Sequence, residues 1–279
     1  MPIFAKYIAF LARKRYAMPE RGVMTMSCEL QTEHFRLTYS ESDVEDPVLW
    51  ERHCHGEFEM IAVLEGDVSV MAEGRSYRLV EHQTVFLPPL LYHTVTANKK
   101  GRYRRVTALF DMGAVPGVLR PHFDAKGSAL TIFEAREPEE LRRCCTAENA
   151  AYYAPLAEGL MMGLFYGDIE AKSATTGGET DDFLQKLLPY IDAHLSAQIS
   201  LDDLAALTAR SKSSLCHLFE ERMGTSPKQY ILQKKLALAT KLIRNGIPPT
   251  EAALRVGYDN YSSFYRLYKK YSGAAPSGK

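Results

Sequence analysis

The 279-residue chain has little cysteine and a single tryptophan. Its five cysteines are odd in number and never follow a Cys-x-x-Cys spacing, which argues against a disulfide framework or a structural zinc site. No apolar run approaches the roughly 20 residues that a membrane-spanning helix needs. We therefore expect a reduced, cytoplasmic protein with no membrane partner.

The chain also has no net charge, because 34 basic residues balance 34 acidic ones. The balance hides an asymmetry: from Asp181 onward there are 14 basic and 9 acidic residues, against 20 and 25 before it. This length allows two domains, each with its own core. A polyanionic partner is expected for the C-terminal domain only.

Residues 1–26 form an N-terminal extension. A short apolar run, YIAFLA, is followed by Arg13-Lys14-Arg15, whereas the charges of a secretory signal precede its apolar stretch. We expect this extension to be disordered. Met24 and Met26 are alternative first residues.

Residues 27–112 have the pattern of a β domain. Short runs such as FRLTY, FEMIAVLEG and DVSVMAEG are bounded by Gly, Pro, Glu and Asn. Many short strands in succession are typical of an antiparallel sandwich or barrel.

Two histidine motifs lie in this domain. They are His53-x-His55-x3-Glu59-x6-Gly66 and Pro88-x-Leu90-x2-His93. In residue types and spacing they resemble the two motifs of the cupin barrel, although His82 and Leu90 stand where that pattern has glycines. The resemblance implies a β jelly-roll barrel with a site inside it.

Four side chains of these motifs are candidates for one site: His53, His55, Glu59 and His93. Three imidazoles and a carboxylate suit a divalent first-row ion, so one interpretation is a metal in the barrel. The other is a polar pocket for an organic effector, to which Tyr92 would add a hydroxyl group. No cofactor is required under this second interpretation.

Residues 113–170 are expected to be helical, with an apolar stripe that includes Tyr153, Leu156 and Leu164. Such a stripe could pack on the β domain or pair with the same helix of a second subunit, as in a homodimer. Residues 171–182, AKSATTGGETDD, are small and polar and predict an interdomain linker.

Residues 183–279 contain a helical unit twice. SKSSLCHLFEERMGTSP begins at Ser211, and NYSSFYRLYKKYSGAAP begins 49 residues later at Asn260. Apolar residues at i, i+3 and i+4 predict an amphipathic helix in each unit. Serine or asparagine can cap the start of such a helix, and the glycine and proline that follow it favour its end.

A short helix and a tight turn precede each of these helices, which is the order of a helix-turn-helix motif. Ser200-x-x-Asp203 predicts a capping box at the first short helix. A helix of about 19 residues joins the two units, and at 1.5 Å per residue it is about 28 Å long. Successive major grooves are about 34 Å apart, so one monomer could reach two of them.

The C-terminal half carries a long set of matching positions: Leu204-Ala205, Ser211, Leu215, Leu218-Phe219, Gly224, Pro227, Tyr230, Ala239, Ala253, Gly257-Tyr258, Ser263-Phe264, Gly273 and Pro276. With them, residues 199–276 resemble the DNA-binding domain of the AraC/XylS family of bacterial transcription regulators. Ala209 departs from this pattern at the usual turn glycine, and Pro248 replaces a polar helix cap. The cupin-like half completes the family's two-domain plan.

The expected fold class is therefore α+β multidomain. An antiparallel β cupin (jelly-roll) barrel with accessory helices precedes an all-α domain of two helix-turn-helix modules joined by a long helix. The domain boundaries are expected at residues 1–26 (extension), 27–112 (barrel), 113–170 (helical segment), 171–182 (linker) and 183–279 (DNA-binding domain).

A helix in the major groove reads base edges with its exposed N-terminal residues. The predicted DNA contacts are Lys212, Ser213, Cys216 and His217 in the first unit and Asn260, Tyr261, Ser262, Tyr265, Arg266 and Lys269 in the second. Among them the resemblance implies base contacts at Ser213, Cys216, His217, Ser262 and Arg266. Arg266 is the strongest candidate, since arginine can bind guanine through two hydrogen bonds.

The resemblance implies a transcription regulator, most often an activator, that senses a small molecule such as a carbohydrate. Its partners would be double-stranded DNA, the effector, RNA polymerase and a second copy of the chain. A hypothesis of another class is a metal-dependent cupin enzyme with an appended DNA-binding domain. We expect a regulator without catalytic residues; stoichiometric metal with turnover would favour the enzyme.

Overall fold

The computed structural model describes residues 13–17, 24–125, 130–134, 138–147, 150–171 and 181–276. The strands are β1 (Arg13–Ala17), β2 (Met24–Gln31), β3 (Phe35–Val44), β4 (Val48–Leu49), β5 (Phe58–Glu65), β6 (Val68–Ala72), β7 (Arg75–Leu79), β8 (Gln83–Leu87), β9 (His93–Ala97), β10 (Gly101–Phe110) and β11 (Thr131–Glu134). The helices are α1 (Arg120–Ala125), α2 (Pro138–Thr146), α3 (Ala154–Glu170), α4 (Asp182–Ala193), α5 (Leu201–Leu207), α6 (Lys212–Met223), α7 (Pro227–Arg244), α8 (Pro249–Arg255) and α9 (Tyr261–Ser272).

The strands form two antiparallel sheets. The larger has the order β1-β2-β3-β10-β5-β8-β11 and the smaller the order β4-β9-β6-β7. Side chains of a strand point alternately to its two faces, and one face of each sheet is buried against the other sheet. In β6, for example, Val68, Val70 and Ala72 are buried, whereas the residues between them are only half-buried. Their side chains meet Val63 and Leu87 of the larger sheet in one core. The predicted α+β class with an antiparallel β domain is confirmed.

The outer face of the larger sheet carries a second core. Phe58 and Phe110 stack with ring centroids 5.3 Å apart, and Met161 and Phe165 of α3 pack on the same cluster. One face of α3 therefore packs on the β domain. The opposite face exposes apolar side chains, among them Leu156 and Tyr166.

The prediction of disorder over residues 1–26 was wrong for Arg13–Ala17 and Met24–Met26. β1 pairs with β2, with Arg13 opposite Glu29, and β2 pairs with β3. Strand pairing uses backbone hydrogen bonds that almost any sequence supplies, so the side chains of an edge strand give a weak signal. Residues 1–12 and 18–23 lie outside the described residues.

The β domain also extends beyond residue 112. β11 lies within the segment predicted to be helical and pairs with β8, with Ile132 opposite Val85. Of the predicted linker, residues 172–180 lie outside the described residues. Asp181 caps α4, because its side chain accepts a hydrogen bond from the Phe183 backbone N–H at 3.0 Å.

The C-terminal domain is helical and has two cores. Leu187 and Phe219 belong to the first, and Ala253 and Phe264 belong to the second. The long helix α7 contributes to both, with Tyr230 in the first core and others of its residues in the second. Its 18 residues span about 27 Å at 1.5 Å per residue. In the described part of the chain, no helix combines the length and hydrophobicity that crossing a membrane requires.

Candidate nucleic-acid interface and effector site

The helices α6 and α9 begin and end in the same way. The Ser211 side chain accepts a hydrogen bond from the Ser214 backbone N–H at 3.2 Å, and the Asn260 side chain accepts one from Ser263 at 3.0 Å. Both helices end at a glycine in the left-handed conformation, as a C-terminal cap requires. The tandem repeat predicted from the sequence is therefore present in the backbone.

One face of each helix is buried and the other is open. Leu215 and Phe219 of α6 and Phe264 of α9 have no measurable exposure. The exposed predicted DNA contacts are Lys212, Ser213, His217, Asn260, Tyr261, Ser262, Arg266 and Lys269, whereas Cys216 and Tyr265 are half-buried. All ten therefore lie on or beside the faces that the helices do not use for packing.

Some of these side chains already have partners. The Lys212 Nζ atom lies 2.7 Å from an Asp202 carboxylate oxygen, and the Asn260 side-chain oxygen serves as the helix cap. Arg266 is exposed, and among the described residues no carboxylate lies within ion-pair distance of it. The free guanidinium makes Arg266 the side chain best suited to a new partner.

The turn between α5 and α6 keeps its shape without the usual glycine. Ala209 has a φ of 52°, and the Arg210 backbone N–H bonds to the Ala205 carbonyl at 3.0 Å. The expected capping box is also present, since Ser200 and Asp203 bond to each other's backbone N–H. Pro248 precedes α8 and provides no side-chain cap.

The structure brings together the four histidine-motif side chains of the β domain. Ligand atoms of His53, His55, Glu59 and His93 all lie within 4.8 Å of one another. The His55 and His93 Nε2 atoms lie 3.0 and 2.9 Å from the same Glu59 carboxylate oxygen. Glu59 is on β5 and His93 begins β9, and His53 is held beside His93 by two backbone hydrogen bonds.

The local environment shifts the acidity of these groups. Burial alone would raise the pKa of the Glu59 carboxyl, but His55 and His93 outweigh it and hold this pKa well below its usual range. Burial would lower the pKa of His93, yet the adjacent Glu59 carboxylate raises it. The pKa of His53 is lowered, because the surrounding protein displaces water from the ring and the His93 charge disfavours a second cation. Glu59 is therefore a buried anion.

Tyr92 does not join this cluster, and its role in effector binding stays a prediction. It is buried in the core of the helical domain, with its ring 5.2 Å from that of Tyr230 in α7. Tyr92 and His93 are neighbours in the sequence, and their side chains lie on opposite sides of the chain because side chains alternate in extended backbone. Cys54 packs in the same helical core, as expected, and burial raises the pKa of its thiol to about 12.

The Trp50 side chain also packs against other residues of the β domain. Its ring lies 5.4 Å from that of Tyr103, and the Arg105 guanidinium lies over it at 5.3 Å. These contacts belong to the core between the two sheets. A cleft of about 220 Å³ lies instead beside His53 and His55, where it is bordered by α7 and α9.

Sequence reasoning missed a polar contact between the two domains. Glu73, in the turn between β6 and β7, accepts a hydrogen bond from the Tyr230 hydroxyl at 2.7 Å. Its other carboxylate oxygen lies 2.9 Å from Lys234 Nζ, which lies 2.9 Å from Asp192 as well. The available signal was a pair of lysines, Lys234 and Lys235, interrupting the apolar stripe of α7.

A second contact joins the β domain to the first recognition helix. The Arg52 guanidinium donates a hydrogen bond to the Met223 carbonyl at 2.6 Å, at the C-terminal end of α6. A cation at this end is favoured by the partial negative charge of the last carbonyl groups. The histidine cluster and the candidate DNA-reading helices are thus parts of one connected structure.

Two family models match the chain. The AraC-like ligand binding domain matches residues 34–165, and a helix-turn-helix domain matches residues 204–278. The protein named Probable transcriptional regulator LumQ, from Photobacterium leiognathi, is 34% identical over 89 residues, which are 32% of this chain and 36% of LumQ. The XylDLEGF operon transcriptional activator of Pseudomonas putida is 28% identical over 130 residues, which are 45% of this chain and 40% of the activator.

The chain is also similar to a solved structure. ToxT from Vibrio cholerae, solved with an unsaturated fatty acid bound, is 12% identical, covers 88% of this chain and 94% of its own, and has a TM-score of 0.42. These two curated relatives are each matched over less than half of their lengths. The two family models match both domains in the expected order, and the chain belongs to the AraC/XylS family of transcription regulators.

Proposed function

We propose that the chain is a sequence-specific DNA-binding regulator whose β domain controls its helical domain in response to a small effector. The observation that carries the proposal is the duplicated, capped recognition helix. α6 and α9 have the same termini and each buries one face. Each leaves its N-terminal polar residues in solvent, as the recognition helix of a helix-turn-helix does.

The length of the helix that joins α6 and α9 supports binding by one monomer. They are joined by α7, which at about 27 Å is close to the roughly 34 Å between successive major grooves on one face of a duplex. Because α7 contributes side chains to both cores, it holds the two units in a fixed relation. Basic residues near the end of α9, Lys269 and Lys270, suit contacts with phosphate.

The remaining partners follow from the family. We propose that the chain activates transcription, as the name of the Pseudomonas putida relative states for that protein, and that it does so through contact with RNA polymerase. The exposed face of α3, with Leu156 and Tyr166, and the preceding Tyr153 are the candidate surface for a homodimer. The effector site is the histidine cluster and the adjoining cleft, with a carbohydrate as one candidate occupant. We assign no catalytic role to the cluster and place the protein in the cytoplasm.

The test is selection of duplexes from a random pool by the full-length protein, followed by affinity measurements on the enriched sequence. We expect enrichment of one motif, with an affinity that falls steeply as the salt concentration rises. Arg266→Ala should weaken binding by about 1–3 kcal/mol and relax the preference at one base pair. Lys270→Ala, on the same helix, is the matched control and should weaken all sequences alike.

The proposal fails if the pool yields no motif, or if the two substitutions change the base preference equally. Either result would mean that α9 does not read bases. Circular dichroism of both variants verifies that α9 remains folded.

A further inference from the structure

We propose that Lys235 is a positioning residue that joins the two helix-turn-helix units directly and sets the spacing of the DNA sequence that they read. The first part, the junction between the units, stands on the contacts of this side chain alone. The second part rests on the proposed function, since it needs both recognition helices on one duplex.

Lys235 lies where α7 passes from the first helical core to the second. Ile231 packs in the first core, and Leu236 and Ala239 pack in the second. Lys235 is only 6% exposed, and among the described residues no carboxylate lies within ion-pair distance of its Nζ atom. Burial accordingly lowers the pKa of its ammonium group. A cation buried without a carboxylate is unfavourable unless other strong acceptors surround it.

The Lys235 ammonium group has such acceptors in both units. It donates a hydrogen bond to the Ala197 carbonyl at 2.7 Å and another to the Val256 carbonyl at 2.8 Å. Ala197 lies just before Ser200, which caps α5 in the first unit, whereas Val256 ends α8 in the second. The last carbonyl groups of a helix carry partial negative charge, which favours a cation there. One side chain therefore bridges the two units.

The backbones of the two units also approach closely beside Lys235. A Cβ atom at Gly257 would lie 3.0 Å from the Ser196 carbonyl oxygen. Gly257 has a φ of 79°, and its carbonyl accepts a hydrogen bond from the Gln198 side-chain amide at 3.3 Å. Glycine is therefore the residue that this approach favours. We call residues 196–198 and 256–258, with Lys235 between them, the module junction.

The module junction reaches the second recognition helix through Tyr258. The Lys235 Nζ atom lies 5.8 Å from the centre of the Tyr258 ring, within the range of a cation–π interaction. The Tyr258 ring in turn lies 5.6 Å from the ring of Phe264, which is buried on the inner face of α9. The position of α9 relative to the first unit therefore depends on the contacts that Lys235 makes.

The spacing of a DNA site is sensitive to such a contact. One base pair advances a duplex by about 3.4 Å and rotates it by about 35°. The length of α7 fixes the separation of the two units, whereas a direct contact beside this helix also fixes their relative rotation. The protein should therefore distinguish duplexes whose two half-sites, one for α6 and one for α9, differ in spacing by a single base pair.

The experiment measures affinity for the selected duplex and for duplexes with one base pair inserted or removed between the half-sites. The full-length wild type should lose about tenfold or more in affinity when the spacing is altered. Lys235→Met keeps the apolar stem of the side chain and removes both hydrogen bonds. This variant should bind the altered duplexes within about threefold of its affinity for the selected one.

Lys234→Met is the matched control. It removes the neighbouring buried lysine of the same helix, whose partners are Glu73 and Asp192 instead. This control should lower the melting temperature and keep the spacing preference, a combination that separates positioning from general destabilisation. Hydrogen exchange gives a second readout that needs no DNA. Lys235→Met should accelerate amide exchange in residues 196–198 and 256–258, and Lys234→Met should leave it unchanged there.

Gln198→Ala tests the module junction with the buried lysine in place. Gln198 is exposed, so its truncation leaves both helical cores intact. It should relax the spacing preference in the same direction as Lys235→Met and by a smaller factor. Should Lys235→Met fail to fold, an unchanged spacing preference in Gln198→Ala overturns the proposal.

The outcomes separate this proposal from the proposed function. The positioning role is overturned if Lys235→Met keeps the spacing preference of the wild type, or if Lys234→Met loses it to the same extent. A wild type that binds no duplex selectively overturns the regulator function instead. Hydrogen exchange then decides the junction alone, and unchanged exchange in residues 256–258 of Lys235→Met overturns it.

Discussion

The ammonium group of Lys234 is buried in the interface between the two domains. Only 2% of the residue is exposed, and its Nζ atom lies 2.9 Å from both Glu73 and Asp192. Burial lowers the pKa of Lys234, but the two carboxylates outweigh it and raise the pKa above its usual value. While these carboxylates are ionised, the stabilisation from Lys234 is therefore fully present below pH 10.5 and is lost as the pH rises through the higher folded value.

Replacing this lysine should destabilise the chain. Lys234→Met leaves the Glu73 and Asp192 carboxylates near each other without a cation, at an expected cost of about 3 kcal/mol at neutral pH. Calorimetry of the full-length protein measures the loss. Adding Glu73→Gln to Lys234→Met removes one unpaired charge and should recover part of it. A single variant as stable as the wild type would mean that the contact between the domains contributes little.

Three residues that replace the glycines of a family pattern keep the backbone conformation that glycine favours. His82, Leu90 and Ala209 stand where the two family patterns have glycines, and their φ angles are 69°, 66° and 52°. The backbone shape is therefore kept although the residue type has changed. Surrounding contacts, such as the 2.8 Å bond from the Leu90 backbone N–H to the His55 carbonyl, hold conformations that cost a non-glycine residue about 1–2 kcal/mol.

The histidine cluster was predictable and the contact between the domains was not. His53, His55, Glu59 and His93 could be grouped because the motif spacing implies a known strand arrangement. The position of Tyr92 depends on which domain packs on its side of the strand, and nothing in the local sequence encodes that. A tertiary contact of this kind overrides any local pattern.

At the scale of the element, helix termini were predicted well. Ser211 and Asn260 cap the helices that follow them, as the sequence indicates, because capping needs a side-chain oxygen at a defined position. Short strands were predicted less well. β1 and β11 are held by pairing with distant strands, and this pairing leaves little trace in their own residues.

The C-terminal glycines of α6 and α9 offer a matched pair of substitutions. Gly224 and Gly273 are both left-handed, with φ angles of 64° and 73°. Alanine at either position should destabilise its own helix by about 1 kcal/mol. A Cβ atom at Gly224 would also collide with the Arg52 guanidinium, whereas no atom of the described residues lies within 4 Å of the corresponding atom at Gly273.

Hydrogen exchange distinguishes these two effects. Gly224→Ala should accelerate amide exchange in residues 51–57 as well as at the end of α6, because Arg52 loses its place on the Met223 carbonyl. Gly273→Ala should affect α9 alone. Equal exchange in residues 51–57 of both variants would show that Arg52 does not hold the segment on α6.

At the scale of the whole molecule, the two domains meet at one interface of polar and apolar side chains. The sequence predicted the domains and their order, since the switch from strand to helix periodicity is strong. Their contact combines charged groups, among them Arg52, Glu73 and Lys234, with the side chain of Tyr92, which packs in the first helical core. Such an interface can be altered by an effector without unfolding either core.

The account rests on the claim that α6 and α9 of one chain read two successive major grooves. Hydroxyl-radical footprinting on a selected duplex, with one chain per duplex confirmed by native mass spectrometry, tests this claim most directly. We predict two protected patches on one face of the DNA, with centres about 10 base pairs apart, and loss of one patch in Arg266→Ala. A single patch of one groove, unchanged by that substitution, would contradict the account.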